Sequence, residues 1–407
     1  MKVLAMVLAG GHGTRLHALT ADRSKPAVPF GSRYRIVDFV LSNLVNSEIR
    51  GIYLLVQYKS QSLIEHVNKA WGYTNTFPGQ FVSIVPPQMR EGPEWFQGTS
   101  DAVFQNINLI ERHAPDKVAV FGADHIYRMD VRQMVAFHEE NSAHVSVAAI
   151  PVPLREASAF GIIDANDKGV IRGFLEKPAT PPPMPSDPNR AYGSMGNYLF
   201  DTDVLLQALR EARERGEHDF GSNILPRLIH SHRVFAYNFA DNHIPGVASY
   251  EEHPYWRDVG TIDAYYAAHH DLLGSKPVFD LFNPQWFINS STYQGPTPRI
   301  LSAEIQNSAI GAGSLVKQAR IRNSILRREV IVEEDVEIDD CIIMDYTIIR
   351  RGSRLKRVII DRYNDIGANT HIGFDLVADR ARYVVSVGGV ILVPKGPDVP
   401  DVTRYQA

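Results

Sequence analysis

The sequence predicts an α/β domain on a mostly parallel sheet, followed by a parallel β-helix. Three observations predict it. Over the first 275 residues, short apolar runs alternate with helix-period segments. That alternation marks βαβ units with helices on both faces of a sheet. From Ile300 to Ile372 the pattern becomes short apolar pairs separated by Gly, Asn, Asp, Glu and Arg, and aliphatic residues recur roughly every five to seven positions. Coils of that kind cannot bury their apolar rows alone, so they stack, and their flat faces favour oligomers. Between the two regions, Lys276 to Arg299 loses periodicity and carries Pro277, Pro284, Pro296 and Pro298. This stretch reads as a connector, giving domains at 1–275 and 300–407 with 276–299 between them.

Composition narrows the function classes. A chain of 407 residues suits two domains, and 44% hydrophobic with 22% charged residues is globular. A net charge of −4 argues against a nucleic-acid coat or a binder of anionic membranes, so any phosphate site must be local. The one cysteine, Cys341, excludes a disulfide framework and a cysteine-based zinc site, and its apolar run CIIM makes it a core residue. Val3 to Ala9 is too short for a signal pattern, and no stretch approaches the ~20 apolar residues of a membrane span. A cytoplasmic protein with no nucleic-acid or membrane partner is the expectation.

Val3 to Ala9 reads as a buried strand that ends in Gly10, Gly11 and Gly13, followed by Thr14, Arg15, Arg23 and Lys25. Glycines let backbone approach a ligand, and the cations bring fixed charge to it, so the turn reads as a phosphate cradle. It is not a dinucleotide fingerprint, because the third glycine would fall on Leu16. Ile36 to Val45 shows one apolar helical face. Ile52 to Val56 and Phe81 to Val85 read as strands around a helix over Ser62 to Ala70. Pro86 to Phe96 reads as a surface loop carrying Trp95 and Phe96. Gly98 and Thr99 then open a helix with Thr99 or Ser100 as the expected N-cap. Lys117 to Phe121 is a strand ending at Asp124, where a carboxylate at a strand's end suits Mg²⁺ between phosphates. For His125 a structural role is expected. Phe160 to Phe174, with Gly161 at its start, reads as a hairpin around Asn166-Asp167 that leads to Glu176-Lys177-Pro178. Ser194 enters another strand, Asp219 sits in the turn HDFG, and Asp258 returns late as a second carboxylate for the Asp124 site.

These strings carry a resemblance. LAGGHGTRLHALTADRSKPAVPFGSRYRIVDFVLSNLVNS, QYKS, WFQGTSDAV, FGADHIYRMD, ASAFG, FLEKP, SMGNYLF, HDFG and YWRDVGT occur in the order found in bacterial ADP-glucose pyrophosphorylases, and the repeats follow. The chain therefore resembles that branch of the sugar-nucleotide pyrophosphorylases over nearly its whole length. The resemblance implies a Rossmann-like nucleotidyltransferase domain with a C-terminal left-handed β-helix. It also implies the reaction of ATP with glucose 1-phosphate to give ADP-glucose and pyrophosphate, with Mg²⁺, in glycogen synthesis. The sequence offers no Ser/His/Asp or Cys/His signature, which suits direct displacement governed by positioning and charge.

By the same resemblance, Gly10, Gly11, Gly13, Thr14, Gly98 and Thr99 bind ATP. Arg15, Lys25 and Asp124 are catalytic, and Asp124 with Asp258 holds Mg²⁺. Gly161, Glu176, Lys177, Ser194 and Asp219 bind the sugar phosphate. Arg23, Gln57 and Trp95 belong to effector control by small molecules, and a homotetramer is the expected assembly. Asp22 stands where the best-studied enterobacterial form has a lysine serving fructose 1,6-bisphosphate, and Phe96 where it has a tyrosine. Alternatives remain open: another sugar-nucleotide pyrophosphorylase using UTP or dTTP, or a regulatory subunit without catalysis. An acyltransferase built on the repeats has only His371 to offer as a base.

Overall fold

Alternate side chains of the strand Val3–Leu8 serve opposite faces of the central sheet. Leu4 and Met6 join the apolar core on one side, and Ala5 and Val7 the core on the other. The computed structural model describes residues 1–11, 13–72, 79–89 and 94–397. Part of the expected loop after Pro86, residues 90–93, and the tail from 398 lie outside them.

Among the described residues the sheet has nine strands. Val3–Leu8 lies between Gly51–Leu55 and Lys117–Gly122, and Phe81–Val85 pairs beyond Gly51–Leu55, all parallel. The long strand Arg190–Asp201 runs antiparallel to Lys117–Gly122 and to Val145–Pro153. The expected hairpin is present as Gly161–Ala165 and Ile171–Glu176, paired antiparallel. The parallel character is thus confined to the strands around Val3–Leu8 and to the pair formed by Val145–Pro153 and Val234–Asn238. The register of Arg190–Asp201 shifts between Ser194 and Tyr198, where Gly196 has a positive φ of 69°. This irregularity opens the sheet just where its strands face a cleft.

A three-sided parallel β-helix follows. Leu315 pairs with Ile331 and Ile331 with Ile348, so successive coils advance by 16 and then 17 residues. Its interior is a stack of Val316, Ile321, Val332, Ile338, Ile343, Ile349, Leu355 and Ile360. Asn307, Asn323 and Asp340 hold equivalent corners with positive φ, a conformation in which Asx side chains are enriched. Asn307 Nδ2 also donates to Asn323 Oδ1 at 2.8 Å, one coil to the next. Cys341 is buried in this stack, and burial pushes its thiol up to about 12. The repeats end in a helix, Leu376–Arg382, capped by Asp375; the repeat pattern gave no sign of it.

The stretch 276–299 is bound to the first domain rather than spanning a gap. Trp286 Nε1 donates to Asn43 Oδ1 at 3.0 Å, and Ser290 Oγ donates to Asp38 Oδ2 at 2.7 Å. A shared apolar core joins Phe30, Phe39, Tyr265 and Phe279 to Ile342, Met344, Ile359 and Leu392 of the β-helix. Polar ties reinforce it. The buried guanidinium of Arg23 is paired with buried Asp361. Arg327 Nη1 donates to the carbonyls of Phe30, Gly31 and Tyr34 at 3.1, 2.7 and 3.1 Å. The β-helix therefore grips the segment carrying Lys25 on both sides of that residue.

Candidate active site

The carboxyl ends of the parallel strands converge on a cleft of about 690 Å³, as open α/β sheets generally arrange their ligand sites. Leu8, Leu55 and Gly122 mark those ends in its wall. The cleft brings together Gly10, Gly11, Lys25, Gln57, Gly98, Thr99, Asp124, Gly161, Glu176, Ser194, Asp219 and Asp258. Twelve residues read from the sequence thus meet in one place, from segments as far apart as positions 10 and 258.

At the foot of the glycine turn, Lys25 is almost fully buried. Its ammonium lies 3.0 Å from Asp124 Oδ2 and 2.8 Å from Asp258 Oδ1. Burial opposes its charge, but the two carboxylates outweigh that cost and the Lys25 pKa stands above its ordinary value. Desolvation pushes the Asp124 carboxyl up, yet His125 and Lys25 hold it well below the usual carboxylate range. Both groups therefore stay charged through neutral pH. Asp258 reaches the site because Trp256–Asp258 pairs antiparallel with His125–Tyr127, setting Asp258 opposite His125. Ligand atoms of Asp124, His125 and Asp258 all lie within 4.8 Å of one another. Two oxygen donors at one point suit a hard divalent cation such as Mg²⁺. His125 packs against Trp256, with ring centroids 4.8 Å apart, and its Nε2 is 3.3 Å from Asp124 Oδ1.

Gly13 is where the turn truly needs glycine. Its φ is +64°, and a Cβ there would come within 2.9 Å of Lys25 Cβ. Gly13→Ala is expected to keep the fold, add roughly 1–2 kcal/mol of left-handed strain and displace Lys25. Steady-state assay should show turnover down by roughly 10²-fold, since small misplacements at a reacting centre cost that much. Wild-type turnover in this variant would break the link between Gly13 and Lys25.

Other expected residues sit elsewhere. Thr14 and Arg15 are exposed at the rim, with Arg15 Nη2 3.9 Å from Asp258 Oδ2. Lys177 does not line the cleft; its ammonium is 2.9 Å from Glu176 Oε1. Arg23 is withdrawn into its pair with Asp361. Asp22 lies 3.5 Å from Lys395 Nζ, an ion pair across the domain junction. Trp95 is 52% exposed and outside the cleft wall. Gln57 does line it, and its side-chain amide bonds Phe96 both ways, accepting from Phe96 N at 2.7 Å and donating to Phe96 O at 3.2 Å. The helix Thr99–Phe104 has Gly98 at its N-cap position and no side-chain cap, contrary to expectation. The Thr99 hydroxyl is engaged instead with Asp219 and Phe220. Sequence reading missed Phe160, Phe174, Met195, Tyr198 and Trp256 in the wall, because isolated aromatic and Met residues read as core.

Comparison with known proteins places the chain in a family. Residues 4–275 match the nucleotidyl transferase family model, and residues 299–393 match the GlmU-like C-terminal hexapeptide model. A glucose-1-phosphate adenylyltransferase from Thermodesulfovibrio yellowstonii is 56% identical over 395 residues, covering 97% of this chain and 96% of its own. The chain belongs to the glucose-1-phosphate adenylyltransferase family. Members of that name from Corynebacterium jeikeium and Vibrio parahaemolyticus are 45% and 43% identical, each covering at least 97% of both chains. The family's nucleotidyltransferase domain is followed here by left-handed β-helix repeats. Among the described residues, no helix is long and apolar enough to cross a membrane.

Proposed function

We propose that this chain transfers the adenylyl group of ATP to glucose 1-phosphate, giving ADP-glucose and pyrophosphate for glycogen synthesis. The observation that carries the reading is Lys25 held between Asp124 and Asp258 at the foot of the glycine turn. It sets a fixed cation beside two oxygen donors where triphosphate charge would gather.

In this reading a phosphate oxygen of glucose 1-phosphate attacks the α-phosphorus. The bond from that phosphorus to the oxygen bridging the β-phosphorus breaks, and pyrophosphate leaves with the electron pair. Gly10 and Gly11 bring backbone close to the phosphates. Lys25 offsets charge developing on them, and Arg15 at the rim meets the departing pyrophosphate. Glu176, Asp219 and Ser194 orient the glucose hydroxyls, while Lys177 serves the sugar's phosphate only after leaving Glu176. Asp124 and Asp258 would hold Mg²⁺, which supplies further charge neutralisation at the phosphates.

We assign 1–275 as the catalytic domain, 276–299 as the connector and 300–407 as the β-helix domain with its tail. A cytoplasmic homotetramer controlled by small-molecule effectors completes the reading. The mutual Gln57–Phe96 bonds support a route for control, because they tie the cleft wall to the loop bearing Trp95. The reversed charge at Asp22, taken up by Lys395, speaks against fructose 1,6-bisphosphate as the activator.

A nucleotide panel tests the reading. With glucose 1-phosphate as acceptor, ATP is expected to be turned over in preference to UTP and dTTP, with pyrophosphate released in step. Preferred use of UTP or dTTP would assign the chain to another branch, and no turnover with any of them would point to a regulatory subunit.

A further inference from the structure

We propose that Thr99 is a positioning residue for the sugar half of the cleft: its hydroxyl latches the helix on the nucleotide side to the Asp219 turn on the glucose side. The inference rests on Asp219 being a glucose-side carboxylate, as proposed above.

The geometry is specific. Thr99 Oγ1 donates to Asp219 Oδ2 at 2.8 Å and accepts from Phe220 N at 3.0 Å. A hydroxyl has one proton to give, so Thr99 has none left for a nucleotide. The backbones also meet. Ser100 N donates to the His218 carbonyl at 2.9 Å, and a Cβ on Gly98 would lie 2.3 Å from that oxygen. The other Asp219 oxygen accepts from Ser222 N at 2.9 Å and Ser222 Oγ at 3.0 Å. Asp219 is thus held at both oxygens, one by its own turn and one by Thr99. The turn itself is anchored by Phe220, fully buried with its ring centroid 5.7 Å from that of Tyr198 and 5.6 Å from that of Phe200.

The consequence separates two substrates. Losing the Thr99 hydroxyl frees one Asp219 oxygen to rotate and leaves the Phe220 amide without its acceptor. The nucleotide side, built on Gly10, Gly11 and Gly98 backbone, keeps its shape. Thr99→Val preserves size and removes the latch. The KM for glucose 1-phosphate is expected to rise about tenfold, the effect of one charge-assisted hydrogen bond, while the KM for ATP stays within about twofold. Thr99→Ser, which keeps the hydroxyl, should restore the glucose 1-phosphate KM. A rise in the ATP KM equal to or above that for the sugar phosphate would overturn the latch and return Thr99 to direct nucleotide binding.

A second measurement does not depend on activity. A double-mutant cycle of Thr99→Val and Asp219→Asn, read by urea unfolding, should show the two changes to be non-additive. Additive effects would sink the latch. Absence of wild-type turnover with glucose 1-phosphate, together with non-additive unfolding, would instead sink the substrate reading and leave the contact standing.

Discussion

Asp124→Asn is expected to lower turnover by roughly 10²–10³-fold, the range set by removing one preorganised electrostatic group from a reacting centre. The substitution keeps the size of the side chain and removes its charge. Asp124 is one of two carboxylates on Lys25, and it shares the cluster with Asp258 and His125. Losing it leaves Lys25 with Asp258 alone and, in the proposed Mg²⁺ role, weakens the hold on the cation. The concentration of Mg²⁺ needed for half-maximal activity should therefore rise along with the fall in turnover. Because the amide of the variant does not ionise, the defect should not be relieved by raising pH. Turnover unchanged from wild type would remove Asp124 from the site's chemistry.

The second large effect concerns stability. Asp361→Ala leaves the Arg23 guanidinium buried without its counter-charge, a change that costs roughly 3–5 kcal/mol in comparable buried pairs. Thermal unfolding should begin several degrees lower. Replacing both partners together, Arg23→Met with Asp361→Leu, removes the stranded charge and should recover most of the loss, since an apolar pair of similar volume is often no worse than an ion pair. Turnover in Asp361→Ala should fall as well, because Arg23 stands two residues before Lys25. Thermal unfolding identical to wild type would show that the pair contributes nothing to the junction.

Both effects bear on what could be read in advance. The place of the string from Gly10 to Lys25 was legible because glycines and cations together follow a buried strand, and Gly10, Gly11 and Lys25 do line the cleft. The β-helix announced itself by its period, which survives in the coil lengths. Asp258 was legible in the sequence as a second carboxylate for the Asp124 site, but the short ribbon that sets it opposite His125 has no periodic signature. Arg23 and Thr99 show the limit more clearly. Each lies in a segment the sequence marks for the site, yet each spends its polar atoms on a residue far along the chain, Asp361 and Asp219 respectively. Side-chain partners over such separations leave no trace in local pattern. Lys177 illustrates the converse: a cation one residue from a cleft residue can still turn to its neighbour Glu176.

The grip of the β-helix on the Lys25 segment has a consequence for the order in which the protein is made. Arg23 precedes its partner Asp361 by 338 positions, and the carbonyl of Phe30 precedes Arg327 by 297. A chain growing from its N-terminus can assemble the central sheet long before either partner has been synthesised. During that interval the segment bearing Lys25 has its sheet but not its outer frame, which begins with the coil carrying Arg327 and is complete only with the coil that ends at Asp361. Premature termination before Asp361 therefore yields a sheet domain without its full frame, and synthesis through that coil becomes a condition for holding Lys25 in place.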